Sequence, residues 1–323
     1  MTNLWAGIDL GGTKTAVVLS SNPPEVIFRR EFPTLPEGGP DPALAAMKAH
    51  LSEMLVECGA STKALCGIGV SCGSPQDRHA GVIQAPPNLW TWVDVPIVAI
   101  LGAEFGCACK MENDANAGAV AEHRFGAGRG VDDMVFLTLG TGLGAGIIAN
   151  GRLYHGASDY AGEIGHVRLT PDGPVGYHKA GSVEGWASGG GIGRLAESLV
   201  AAASRNGERT LLLREVDGPP LTARDVWTAA QAGDALAARI IHTAGEKLGE
   251  TLAILADILN PRRIVIGGLA LRLGDALLGP ARIVMQREAL PQTAGVCEVV
   301  PAALGERIGD VASLAIAMGL HER

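Results

Sequence analysis

The stretch LWAGIDLGGTKTAVVLS, residues 4–20, decides the fold class, because a glycine turn joins two apolar segments within it. The segments are typical of β-strands, and the turn leaves backbone N–H groups that can point at an anion. The stretch MVFLTLGTGLGAGIIAN, residues 134–150, repeats this strand, glycine turn and strand. Asp9 and Thr138, which lie 129 residues apart, occupy the same position two residues before each turn. Two copies of one hairpin predict a duplicated architecture with two lobes.

The rest of the chain alternates predicted strands with predicted helices. The apolar segments LCGIGVSCGSP (65–75) and CACKMEND (107–114) are typical of strands. Helical spacing covers 41–58, 222–259 (with a break near Gly233) and 306–320. This alternation predicts an α/β protein, and 323 residues exceed the usual size of a single core.

Composition argues against several classes of function. The net charge is −8 and no basic run is present, which disfavours nucleic-acid binding. No apolar run approaches the ~20 residues that span a membrane, and the N-terminus lacks the pattern of a signal peptide. We therefore expect a soluble, cytoplasmic protein with neither a nucleic-acid nor a membrane partner.

The two glycine turns are candidates for a nucleotide phosphate site. In the first turn Thr13 can add a hydroxyl donor, and Asp9 is placed to hold Mg²⁺ through water. One such turn alone could be an ordinary hairpin. A second loop, residues 140–144, at the matching position of the second half favours a pair of phosphate loops. The sequence has no Walker motif, and a dinucleotide fingerprint would open a helix instead of joining two strands.

A cluster of polar residues, Glu112-Asn113-Asp114-Ala115-Asn116, lies where a predicted strand meets a predicted helix. Asn and Asp are common helix caps, but a cap needs one such residue and four polar side chains are present. A carboxylate here can accept the proton of a sugar hydroxyl that attacks a γ-phosphate. We therefore predict that Asp114 is a general base and that Asn113 binds neighbouring hydroxyls.

Two further segments carry candidate sugar ligands. Glu163 and His166 are three residues apart, so one helical turn would place them on the same side. Glu184 lies in a weakly polar stretch that becomes helical. The alternatives are a loop glutamate with a surface histidine, and a first-turn acid favoured by the helix dipole.

Taken together, these motifs resemble the ROK family of sugar kinases and repressors, within the actin-like ATPase folds. The resemblance runs nearly end to end through five ordered motifs: GIDLGGTKTAVVL, APPNLWTWVDVP, MENDANAGAVAEHRFGAGRG, LTLGTGLGAGIIANGRLYHGASDYAGEIGHVRL and LNPRRIVIGGLA. It implies an α/β, two-lobed actin-like ATPase (ribonuclease H-like) fold with duplicated mixed sheets flanked by helices. We expect a small N-terminal α/β lobe over 1–117, a larger lobe over 118–305, and a C-terminal helix, 306–323, that packs back on the first lobe.

Carried over residue by residue, the resemblance implies that Asp114 is the base and that ATP, Mg²⁺ and a small sugar are bound. The implied sugar ligands are Asn113, Glu163, His166 and Glu184, with Asn88 and Gly73 as weaker candidates. The implied phosphate ligands are Gly11, Gly12, Thr13, Lys14, Thr141 and Gly142, and Gly267 and Gly268 would lie near the nucleoside. A homodimer is expected from the resemblance alone.

One segment departs from the family pattern. Most ROK kinases hold a structural Zn²⁺ with a histidine and three cysteines, whereas this chain reads RLTPDGPVGYHKAGSVEGWAS over 168–188. Ser182 stands at the last cysteine position, and His166 and His178 alone cannot build a closed tetrahedral site. We predict no structural zinc and expect the loop to be ordered by packing around Tyr177 and Trp186.

The expected activity is that of an ATP:hexose phosphotransferase acting on a primary hydroxyl. Glucose, the commonest substrate in the family, is the expected sugar. N-acetylglucosamine, N-acetylmannosamine, fructose and allose are alternatives. A family repressor should carry an additional N-terminal helix-turn-helix segment, whereas this chain begins at the first phosphate-loop strand. A sugar-binding protein without catalysis is a third possibility, against which Asp114 and both phosphate loops argue.

Overall fold

The computed structural model describes residues 3–213 and 218–322 and shows an α/β fold with two five-stranded sheets. The strands are β1 (Leu4–Leu10), β2 (Lys14–Ser20), β3 (Phe28–Pro33), β4 (Leu65–Cys72), β5 (Gln76–Asp77), β6 (Val82–Ile83), β7 (Cys109–Asn113), β8 (Met134–Leu139), β9 (Leu143–Ala149), β10 (Arg152–Leu153), β11 (Val175–Gly176), β12 (Lys179–Ala180), β13 (Arg263–Gly268) and β14 (Glu298–Pro301). The helices are α1 (Pro40–Glu57), α2 (Ile97–Phe105), α3 (Asp114–Phe125), α4 (Val183–Ala187), α5 (Gly189–Arg205), α6 (Ala223–Gln231), α7 (Ala235–Leu259), α8 (Leu269–Leu273), α9 (Asp275–Glu288), α10 (Pro291–Ala294) and α11 (Ile308–Ala317).

The chain divides into two compact units. The first consists of the described residues of Met1–Gly130, Ile148–Tyr154 and Glu306–Arg323, and the second of those of Val131–Ile147 and His155–Gly305. The lobe boundary that we expect after residue 117 stays a prediction.

The two large sheets have the same strand order relative to the chain. The first is ordered β3-β2-β1-β4-β7, with β1 antiparallel to β2 and parallel to β4. The second is ordered β10-β9-β8-β13-β14, and β13 is parallel to both β8 and β14. In each sheet the predicted glycine hairpin supplies the central strand and its neighbour. The duplicated mixed sheets predicted from the repeated hairpin are therefore confirmed.

Helix α11 packs on the strands of the first unit through glycines. A Cβ on Gly7 of β1 would stand 2.8 Å from Val18 and 3.0 Å from the backbone nitrogen of Leu314, and one on Gly69 of β4 would meet the backbone of Ser313. Ser313 itself is fully buried. The missing side chains thus let the helix lie close to the sheet.

The elements that carry the candidate site form where the sequence predicts them. Strand β1 covers the predicted segment in full, and the break near Gly233 separates α6 from α7. Helix α3 begins at Asp114 itself, directly after β7. Among the described residues, no helix is both long and apolar enough to cross a membrane.

Candidate functional site

The junction of β7 and α3 fixes the side chain of Asn113. No loop residue separates the strand from the helix, and Asn113 is the N-cap: its Oδ1 accepts hydrogen bonds from the amides of Ala115 (3.0 Å) and Asn116 (3.4 Å). Its Nδ2 donates to Ser74 Oγ at 2.8 Å. Asn113 is therefore a helix cap, and it also tethers the turn that follows β4.

Asp114 is the first residue of α3, and its side chain is exposed to solvent. Its Oδ1 accepts a hydrogen bond from the Ala115 amide at 2.8 Å. Although the side chain reaches solvent, the surrounding protein partly desolvates it, and this raises the pKa of Asp114 above the usual carboxyl range. A carboxylate that both reaches solvent and binds a proton more tightly than usual has the properties of a general base.

Asn88 and Gly73 lie together beside the first glycine loop. A Cβ on Gly12 would stand 2.5 Å from the Asn88 carbonyl oxygen, and one on Gly73 would stand 3.6 Å from Asn88 Oδ1. The structure therefore brings Asn88, Gly73 and Gly12 into one cluster. Through Ser74, which follows Gly73, this cluster is connected to Asn113.

The first loop is a tight hairpin closed by its own backbone. The Gly11 amide donates to the Lys14 carbonyl at 3.1 Å, and the Gly11 carbonyl accepts from Thr34 Oγ1 at 2.6 Å. No hydrogen bond in the described part of the chain uses the amides of Gly12, a half-buried residue, and Thr13, an exposed one. The Lys14 ammonium lies 3.0 Å from Glu31 on β3, so any contact of Lys14 with phosphate stays a prediction.

Asp9 lies among other carboxylates. Its side chain packs against Gly309 of α11, where a Cβ would collide with the carboxylate. Burial raises the pKa of Asp9 to about 6, and the negative charges of Asp114 and Asp310 add to the shift, while Lys14 and Arg29 oppose it. The sequence identified Asp9 but gave no indication of this crowding.

Asp310 is the neighbour that the sequence did not identify. It is buried near the start of α11, and Arg29 Nε donates to its Oδ2 at 2.9 Å. Arg29 also pairs with Glu31 at 2.6 Å. A charged residue at the start of the otherwise apolar closing helix was the available signal for Asp310. Nothing in the sequence identifies Arg29 as its partner.

The second loop is held by the start of α5 and by Glu184. The amides of Gly189 and Gly190 donate to the carbonyls of Gly140 (2.8 Å) and Thr141 (3.1 Å). Glu184 Oε2 accepts from the Leu143 amide at 3.2 Å, and a Cβ on Gly142 would stand 2.7 Å from that oxygen. Glu184, predicted as a sugar ligand, is thus in direct contact with the predicted phosphate loop.

Glu163 and His166 share one turn of 3₁₀-helix. The His166 amide donates to the Glu163 carbonyl at 3.1 Å, and both side chains are exposed. A Cβ on Gly165, between them, would press on the Leu143 carbonyl at the end of the second loop. The turn therefore lies beside this loop, and residues three apart in a 3₁₀ turn project to the same side.

The segment that departs from the family pattern, residues 168–188, contains a small hairpin, β11–β12. Its two turn residues, Tyr177 and His178, both have positive φ, as a two-residue type I′ turn requires. Trp186 Nε1 donates to Thr170 Oγ1 at 2.8 Å, and the indole ring fills the space beside Gly173. The expected packing around Trp186 is present, whereas Tyr177 is 60% exposed at the turn.

Ser182, which stands where the family resemblance leads us to expect a cysteine, connects the hairpin to α4. It is fully buried, and its Oγ accepts from the Gly185 amide at 3.1 Å and donates to the Gly176 carbonyl at 3.4 Å. Over residues 3–213 and 218–322, no three His, Cys, Asp or Glu side chains form a group suited to a metal ion. The absence of structural zinc stays a prediction.

Gly267 and Gly268 end β13 beside the strand that leads into the second loop. They lie opposite Thr138 and Leu139 of β8 in parallel register. Gly268 has φ +65°, and a Cβ there would collide with the Leu139 carbonyl, so glycine is required at this position. This places both residues at the carboxyl edge of the second sheet, where α/β folds bind ligands.

Comparison with known proteins identifies the family. A family model described as the ROK family matches residues 5–318. The chain belongs to the ROK family. A glucokinase of Halalkalibacterium halodurans is 36% identical over 312 residues, which cover 96% of this chain and 93% of that protein. A xylose repressor of Caldicellulosiruptor bescii is 32% identical over 289 residues, 88% of this chain and 71% of the repressor.

A solved structure agrees in fold. The crystal structure of a ROK family glucokinase from Streptomyces griseus, in complex with glucose and AMPPNP, is 32% identical with a TM-score of 0.79. The match covers 98% of this chain and 100% of that one. The actin-like ATPase architecture implied by the sequence motifs is therefore confirmed.

Asp9→Asn should stabilise the protein near neutral pH. A raised carboxyl pKa means that the folded state binds the proton more tightly, so stability falls as pH rises from about 4 to about 6 and then levels off. The variant has no such charge, so at pH 8 its free energy of unfolding should be higher by at most about 3 kcal/mol, at 1.36 kcal/mol per pKa unit. Its melting midpoint at pH 8 should therefore also be higher. The gain should vanish below pH 4.

Calorimetric melting midpoints at pH 4, 6 and 8 in metal-free buffer would measure this effect. Asp132→Asn, the same change at an exposed carboxylate, is the control and should change the midpoint little at any pH. An Asp9→Asn midpoint that is lower than the wild-type midpoint at pH 8 would show that the charged carboxylate of Asp9 does not destabilise the fold.

Ser182→Ala should destabilise the second unit by about 1–2 kcal/mol, because the buried Gly185 amide loses its acceptor. Ser61→Ala is a matched control, since Ser61 also precedes a helix but makes no side-chain cap bond. Urea unfolding of both variants is the measurement. Equal midpoints for the two would show that Ser182 does not anchor the hairpin.

Proposed function

We propose that this protein is an ATP-dependent hexose kinase that phosphorylates the primary hydroxyl of its sugar, and that glucose is that sugar. The observation that carries the proposal is the position of Asp114. Its carboxylate stands at the first position of α3, reaches solvent and has a raised pKa. The cluster of Asn88, Gly73 and Gly12 is connected to the same helix start through Ser74 and Asn113.

The chemistry requires a base and a fixed acceptor. Asp114 takes the proton of the sugar hydroxyl while that oxygen forms a bond to the γ-phosphorus, and the bond from phosphorus to the bridging oxygen breaks to release ADP. The Ala115 amide donates to Oδ1, and no other residue in the described part of the chain donates to Oδ2. The second oxygen can therefore accept the proton, and a raised pKa brings the base nearer to its working pH.

Each unit, taken by itself, carries residues that we propose as sugar ligands. In the first, Asn113 and Asn88 offer amide groups, and Gly73 leaves room beside Asn88. In the second, Glu163, His166 and Glu184 offer acceptors and a donor to sugar hydroxyls. Glu184 also contacts the second loop, so the same carboxylate would fix that loop and bind a hydroxyl.

The glycine loops fit the phosphates of ATP. The amides of Gly12, Thr13, Thr141 and Gly142, none of which is a buried residue, are not used by any hydrogen bond in the described part of the chain. Side chains at Gly12 and Gly142 would collide with Asn88 and Glu184, so the backbone must remain bare there. Backbone amides at such turns are an established form of anion site.

Mg²⁺ fits the carboxylates near the first loop. Asp9 supplies the hard oxygen ligand that Mg²⁺ prefers, and the repulsion from Asp114 and Asp310 would be relieved by a cation. One carboxylate, acting through water, suffices because Mg²⁺ keeps part of its hydration shell. When bound, the ion would neutralise charge on the ATP phosphates.

Gly267 and Gly268 are the proposed nucleoside contacts.

The relatives support a sugar kinase and leave one rival. The relatives from Halalkalibacterium and Streptomyces are named glucokinases, and the latter binds glucose and AMPPNP. A third relative is named a xylose repressor, which favours a sugar-responsive regulator as the alternative. The base at Asp114 supports catalysis over regulation. A cytoplasmic location and a homodimer stay predictions.

Asp114→Asn should lower kcat for sugar phosphorylation by about 10²–10⁴-fold, because the neutral amide cannot take the proton. Sugar affinity, measured by calorimetry, should change only a few-fold. Asp41→Asn is the control, since Asp41 lies in the exposed first turn of α1 and should leave kcat unchanged. A kcat within three-fold of wild type for Asp114→Asn would exclude Asp114 as the base.

ADP release measured over about ten sugars should give the highest kcat/KM for glucose. The panel should include N-acetylglucosamine, N-acetylmannosamine, fructose, allose and xylose. A higher value for another hexose would replace glucose as the substrate and keep the kinase. If sugars of the panel bind but none of them gives ADP release, a sugar-responsive regulator is favoured instead.

A further inference from the structure

A small cavity of about 210 Å³ lies at the outer edge of the first unit's sheet. Its walls come from the edge strand β7, the start of α2, the turn after β5 and the C-terminal 3₁₀ turn, and its lining residues are Arg78, His79, Val98, Cys109, Lys110, Met111 and His321. Neither the glycine loops nor the sugar-side residues belong to this lining.

The lining is basic, although the chain is acidic. Four of the seven residues carry a guanidinium, an ammonium or an imidazole, and none is Asp or Glu. The whole chain has 34 acidic residues against 26 Lys and Arg, so the cavity lining is more basic than the chain as a whole. Asp77, the acid that precedes Arg78 in the sequence, accepts hydrogen bonds on its Oδ1 from the amides of His79 (3.0 Å) and Ala80 (2.9 Å). Its charge is thus partly offset within the turn.

We propose that this cavity binds a phosphate group, as the free ion or as part of a small phosphate monoester. Four donor side chains from three elements suit a tetrahedral oxyanion better than a planar carboxylate. Ligand pockets for drug-sized molecules measure roughly 300–1,000 Å³, so this cavity accepts a single phosphate group with little attached. The proposal does not depend on the kinase assignment.

The basic side chains are held in place before any ligand arrives. Arg78 follows Asp77, whose carboxylate closes the turn, and Gly81 packs against Val98. Lys110 belongs to β7 in register with Gly69, and His321 is 4% exposed. Arg78, His79, Lys110 and His321 each make a polar contact within the protein. Because a guanidinium has five N–H donors and an ammonium three, a bound anion can share them.

The test is calorimetric titration of the full chain with inorganic phosphate and, separately, with glycerol 3-phosphate. Chloride balances the ionic strength, and saturating AMPPNP occupies any nucleotide site. Wild type should bind at least one of the two ligands. Lys110→Met should bind about ten-fold more weakly or worse, since it loses a charged donor. Lys110→Arg should retain binding, which separates loss of charge from misfolding.

Lys48→Met is the matched control, because Lys48 pairs with Glu104 on the surface of the same unit, outside the cavity. It should bind phosphate as wild type does. Binding of inorganic phosphate alone would identify a free-ion site, and binding of the monoester alone a metabolite site. No heat with either ligand, or equal affinity in wild type and Lys110→Met, would overturn the proposal.

Discussion

The contact between the Asp9 carboxylate and the bare backbone of Gly309 is the constraint on which the first unit's candidate site depends. It exists because α11 lies so close to the sheet that Gly7 and Gly69 have no room for a side chain. The same close packing brings Asp310 near Asp9 and partly removes Asp9 from water, which raises its pKa. A carboxylate in this state favours a nearby cation over isolation.

The second unit also depends on close contacts at glycines. Because Gly142 has no side chain, the Glu184 carboxylate can lie beside the second loop, and Gly189 and Gly190 bring the start of α5 against that loop. The amides of Gly189 and Gly190 donate to these loop carbonyls, so they are not available to an anion, whereas the guanidinium of Arg194 lies beside Gly190.

Much of the fold and part of the site could be predicted from the sequence. Asp9 to Lys14, residues 140–144 and Asp114 lie in unbroken segments, where strand, turn and helix signals reinforce one another. The pairing of Arg29 with Asp310, by contrast, joins residues that are far apart in the chain, and local patterns carry no information on such contacts. The hairpin at Tyr177 and His178 was hidden for another reason: neither residue is typical of a type I′ turn.

The two proposed anion sites would rely on different chemistry. In the glycine loops the proposed donors are backbone amides, and the Lys14 ammonium is paired with Glu31. At the edge of β7 the donors are side-chain cations and imidazoles in a cavity without acids. Amide sites bind through fixed dipoles and carry no net charge, whereas the proposed site in the cavity would bind an anion through charged side chains. The two should therefore respond differently to salt, because screening acts mainly on net charge.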